Sequence, residues 1–124
     1  MLLTFEEKCS RIEKVLNECR PFSSPEVGTI PDDEGSFYYD LIVVDLSCSV
    51  GDISNFYECF SSIEGELDRS GLIVNINMHL RDARDDKVDL SFVIGVYEDM
   101  KYKDEKDAFN KILDIIEKKI REFL

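Results

Sequence analysis

Apolar residues recur near the start of the chain at spacings of three and four: Leu2, Phe5, Cys9, Ile12, Leu16 and Cys19, with Val15 alongside. That spacing puts them on one stripe of a helix, with Glu, Lys and Arg on the opposite side. Thr4-Phe5-Glu6-Glu7 has the form of a capping box, so the helix is expected to start there and to stop at Arg20-Pro21. The rhythm then changes. Phe37 to Leu46 reads as a central strand, because Leu41, Ile42, Val43 and Val44 are apolar whichever face they take. Ile53, Phe56, Phe60, Ile63 and Leu67 return to helical spacing between Gly51-Asp52, with Asp52 as the expected N-cap, and Ser70-Gly71.

Two alternating runs follow. Leu72, Val74, Ile76, Met78 and Leu80 point one way; so do Val88, Leu90, Phe92, Ile94 and Val96, with Asp82 to Asp86 as the connecting turn. A last helix begins near Asp104, its core face being Phe109, Ile112, Leu113, Ile116, Ile120 and Phe123. Residues 21–36 hold three prolines, two glycines and the run Asp32-Asp33-Glu34, with room for a short edge strand from Glu26 to Ile30. The order is therefore α-(β)-β-α-β-β-α. It predicts one α+β domain over residues 1–124, a three- or four-stranded, mostly antiparallel sheet with three helices on one face.

Both hairpin strands carry their apolar residues at even positions, so the register must preserve parity. Pairing Arg81 with Lys87 does so, and sets His79 opposite Asp89, Asn77 opposite Ser91 and Asn75 opposite Val93. A His79–Asp89 pair flanked by Arg81 and Tyr97 would be a general base beside an anion-holding group. The plainer readings are a solvated polar face or a face that contacts another protein, since no nucleophile accompanies the pair.

Charge changes the picture more than chemistry does. The 124 residues carry a formal net charge of −12, distributed unevenly. Residues 1–20 are neutral and 101–124 net +1, whereas residues 21–70 hold eleven acids against one base, Arg69. The expected acidic surface comprises Glu26, Asp32, Asp33, Glu34, Asp52, Glu58, Glu64, Glu66 and Asp68. Such a field repels nucleic acid and steers a basic protein toward the chain; the competing explanation is solubility alone.

Other chemistry finds little support. Asp32-Asp33-Glu34 and the Asp82/Asp85/Asp86 group lack the alternation, glycine and late Glu of a calcium loop. No GxGxxG, GxxxxGK[ST] or GxSxG run occurs, so no catalytic residue, metal or cofactor is assigned. Cys9 and Cys19, ten positions apart on one helix, sit about 15 Å apart along its axis, beyond the roughly 7 Å that a disulfide spans. The Cys9–Cys19 and Cys48–Cys59 spacings resemble those of twin-CX9C proteins, except that the second is one residue longer and runs from strand into helix. The four cysteines are read as reduced core thiols, and an N-terminus that mixes acids and bases is not a signal peptide. With no membrane-length apolar run, the expectation is a cytoplasmic protein.

The function expected is non-enzymatic binding. An acidic antagonist of a basic, nucleic-acid-handling protein, of the immunity-protein or phage-inhibitor type, would use the carboxylates in place of phosphates. In size, acidity and order of elements the chain is also similar to class I type III secretion chaperones, a resemblance that implies a dimer holding an effector. An enzyme at His79/Asp89 is the third alternative. The aromatic run Phe37-Tyr38-Tyr39 adds the expectation of a homodimer through an exposed strand edge.

Overall fold

In a computed structural model, residues 4–19, 21–30, 41–71, 74–96 and 105–123 are described. Helix α1 spans Phe5–Glu18 and starts in the expected capping box: Glu7 N–H donates to Thr4 Oγ1 (3.1 Å) and Thr4 N–H to Glu7 Oε1 (3.2 Å). Strand β1 is Ser23–Ile30 and β2 is Leu41–Ser49. A 3₁₀ turn, Val50–Asp52, leads into α2, Ile53–Arg69. Strands β3 (Val74–Arg84) and β4 (Lys87–Val96) form the hairpin, and α3 is Glu105–Phe123.

The four strands make one antiparallel sheet in the order β1-β2-β4-β3. This is an α+β fold in the predicted order, and the short first strand is present, beginning three residues before Glu26. Phe37 to Asp40, including the aromatic run, lie outside the described residues, as do Asp32, Asp33, Glu34 and Tyr97.

The helices cover one face. Ile42, Val44, Leu46 and Cys48 of β2 and Val88, Leu90, Phe92, Ile94 and Val96 of β4 point into them and are buried. Phe60 of α2 is the hub: its ring lies 4.9 Å from Phe92, 4.7 Å from Phe56 and 6.3 Å from Phe22, which follows α1. Helix α3 packs against both α1 and α2. Its contact with α1 is edged by Lys8–Asp114 (2.8 Å) and Arg11–Glu117 (2.9 Å). All four cysteines are free and buried. Burial pushes the Cys59 thiol up to about 12 and, helped by Glu13 and Glu6, that of Cys9 to about 11.

The hairpin departs from expectation in an instructive way. Its turn has two residues, Asp85 and Asp86, rather than five, because Asp85 takes up a left-handed conformation (φ 55°) that Asp tolerates better than most residues. Arg84 therefore pairs with Lys87. A regular ladder from that turn would oppose even positions of β3 to odd positions of β4 and turn one apolar set to solvent. The conflict is resolved by a bulge at Arg81, between Leu80 and Asp82, after which Leu80 faces Leu90, Met78 faces Phe92 and Ile76 faces Ile94.

Candidate partner-binding surfaces

The bulge corrects the expected pairing on the open face. His79 stands opposite Ser91, not Asp89; Asn77 is opposite Val93 and Asn75 opposite Gly95, while Asp89 faces Asp82. Asp89 is also committed elsewhere. Ser47 Oγ donates to its Oδ1 at 2.5 Å, and Arg84 Nη2 approaches its Oδ2 at 3.3 Å. The Ser47 hydroxyl, with help from Arg84, Arg81 and Lys87, holds the Asp89 carboxyl below the usual carboxylate range. No His79–Asp89 hydrogen bond forms among the described residues.

What the register builds instead is a lattice in the middle of the sheet. Ser47 pairs with Asp89 and Asp45 with Ser91 across β2 and β4, so each serine faces an aspartate. Ser91 Oγ donates to Asp45, and Arg81 reaches over β4 to the same Asp45 oxygen at 3.5 Å. Arg84 also pairs with Asp82 at 3.1 Å. Carboxylate, hydroxyl and guanidinium thus satisfy one another. Ser47 and Ser91 are only 6% and 3% exposed, out of reach of a substrate that would need their hydroxyls. The sequence displays Asp45, Ser47 and Ser91 plainly, but only the register joins them to Asp89. Exposed Asn75, Asn77 and His79 rim this lattice along β3.

The acidic residues fall into two groups. Some are engaged inside the fold. Asp52 occupies the N-cap position of α2 but caps no amide; its oxygens take Ser49 Oγ and Asn55 Nδ2, both at 2.8 Å. Glu66 turns toward α3, within 3.9 Å of Lys118 and of Lys119, and 3.7 Å from Arg69. It was expected on the outer surface and belongs to the helix–helix seam. The others remain outward. Glu58, Glu64 and Asp68 are exposed on α2, and among the described residues no cation stands within ion-pair distance of them. Glu26 is exposed on β1, at the opposite edge of the sheet from β3, so the described acids do not form one continuous patch.

Glu64 and Asp68, one helical turn apart, have a feature that charge counting does not reveal. With Gly65 they form one wall of a groove of about 320 Å³ whose other wall is Val74 and Ile76 of β3. The wall on β3 belongs to an edge strand. Among the described residues, no group of three or more His, Cys, Asp or Glu is placed to hold a metal, and no helix is long and apolar enough to cross a membrane.

No family model, curated protein or solved structure matches this chain.

Proposed function

We propose that the protein is a non-enzymatic binding protein whose α2 side engages a basic protein, acting as an antagonist that occupies a surface built for phosphates. The observation that carries this reading is how the charges are spent. In the terminal helices acids and bases largely answer one another: Lys8 with Asp114, Arg11 and Arg121 with Glu117, Lys119 with Glu122. Among the described residues, Glu66 is the acid of α2 that is answered, leaving Glu58, Glu64 and Asp68 exposed. Carboxylates placed so favour neither folding nor helix packing, since like charges on one helix repel. They favour encounter with a positive surface, and in a chain of net charge −12 they do so at long range. Immunity proteins against toxin nucleases and phage inhibitors of nucleic-acid-binding proteins would both fit this physics.

The test is capture of basic proteins from a lysate of the source cells at rising salt, comparing wild type with an E58Q/E64Q/D68N variant. All three positions are exposed, so the fold is expected to survive. The expected result is a basic protein retained at low salt, released at high salt, and lost with the variant. Capture of nothing basic, or retention indifferent to both salt and substitution, overturns the reading.

A further inference from the structure

We infer that the outer edge of β3 is a docking site for an extended lysine- or arginine-bearing segment of the partner, which adds to the sheet as a fifth strand. This deepens the reading above and rests on it.

The two edges of the sheet are built differently. On β1 the register is broken between Ser23 and Glu26, Ser24 is left-handed (φ 50°), and Pro25 has no N–H to offer. The Val27 N–H is already taken by Glu13 Oε2 of α1 at 2.8 Å. These devices blunt an edge against pairing. On β3, the bulge and the charges of Arg81 and Arg84 do the same, but only beyond Leu80. From Val74 to Leu80 the strand holds an unbroken register with β4, contains no proline, and no described strand pairs with its other side. Alternate N–H and C=O groups along that stretch point away from the sheet, as an added strand requires.

The groove beside this edge says what should dock. Its floor is apolar, Val74 and Ile76, each half-buried; its far wall carries Glu64 and Asp68. Gly65, between the two acids, adds no side chain of its own to that wall, and the Arg69 guanidinium borders it, 3.3 Å from where a Cβ would stand. A lysine or arginine is apolar along its stem and charged at its tip, so the stem covers the floor while the tip meets the carboxylates. A purely apolar side chain would leave both acids beside a dry surface. A second copy of this chain is disfavoured for the same reason. Edge-to-edge pairing across a two-fold axis would place one Glu64/Asp68 wall alongside the other. On the opposite face the incoming strand would meet Asn75, Asn77 and His79, which are polar and exposed and accept varied neighbours.

The experiment uses the full chain, isotope-labelled, with a capped peptide of alternating lysine and valine as probe. Amide shifts in the NMR spectrum report the location of binding. Three comparison peptides are used: glutamate in place of lysine, the same sequence with alternate backbone amides N-methylated, and its complement with the other set methylated. Shifts are expected to concentrate in Val74–Leu80 and in α2 around Gly65. The glutamate peptide should not bind, and one methylated peptide should lose binding because its hydrogen-bonding amides are gone. The E64Q/D68N variant should bind about five-fold more weakly, as for two exposed ion pairs. Equal binding by both methylated peptides, or shifts elsewhere on the surface, overturns the strand-addition proposal and leaves the basic-partner reading standing. Equal binding by the glutamate peptide overturns the charge argument on which both rest. A concentration-dependent dimer that the lysine peptide cannot dissociate assigns the edge to a second copy instead and overturns the proposal.

Discussion

Deleting a residue from β3 should be nearly harmless at one position and costly four residues away. Arg81 is the extra residue of the bulge; without it, Leu80 opposite Leu90 would be followed directly by Asp82 opposite Asp89, a regular ladder with every apolar side chain on its present face. The loss is the Arg81–Asp45 contact, 3.5 Å long with Arg81 45% exposed. Such pairs contribute about 1 kcal/mol or less, and Asp45 keeps its hydrogen bond from Ser91. Asn77 lies in the regular part of the strand and its own side chain is exposed. Its deletion forces a choice: either Val74 and Ile76 turn to the open face, or the bulge is consumed and Met78 and Leu80 turn instead. Full burial of side chains of this size is worth about 1.5–3 kcal/mol each, so turning out half-buried Val74 and Ile76 costs about 2 kcal/mol. The second route turns out half-buried Met78 and a Leu80 already 53% exposed, and also moves Arg81 off Asp45, for a similar sum. Urea unfolding of both deletion variants, followed by circular dichroism, reads the difference as a shift in midpoint at unchanged slope. If removing Arg81 destabilises as much as removing Asn77, parity does not govern this hairpin and the account of the bulge is wrong.

Two further outcomes follow from the core. Phe60→Ala should cost about 3–5 kcal/mol by the same assay, because the ring is fully buried among Phe56, Phe92 and Phe22. Replacing exposed Tyr57 with alanine should cost far less, and comparable losses would contradict the placement of the hub. The thiols make stability fall at alkaline pH: Cys59 is raised from 9.0 to about 12 in the fold, so its contribution is complete below about pH 9 and is lost as pH climbs toward 12. Unfolding midpoints of wild type and Cys59→Ala, compared from pH 8 to 11, should converge as pH rises (on the order of the shift cited); parallel curves would refute the burial of that thiol.

Much of this protein could be read from one dimension. The capping box at Thr4, the helical stripes of Phe56, Phe60 and Ile63, and the even-numbered apolar positions of β3 and β4 are local patterns, and local patterns answer to propensity and burial alone. They determined three helices, the hairpin, the buried cysteines and the excess of acid in the middle of the chain. Even the bulge was implicit, because a two-residue Asp85-Asp86 turn and even-numbered apolar positions on both strands are incompatible without an extra residue. The five-residue turn assumed from Asp82 to Asp86 concealed that conflict. What the tertiary structure decided is which polar groups meet. Register assigned Asp89 to Ser47 and Arg84 instead of His79. Packing of α3 against α2 took Glu66 out of the acidic surface, while Glu64 and Asp68 were left beside β3, the edge strand of the described sheet. The physical reason is that apolar patterning specifies which face a residue occupies, whereas the partner it finds on that face depends on strand order and helix placement, set by contacts distant in sequence.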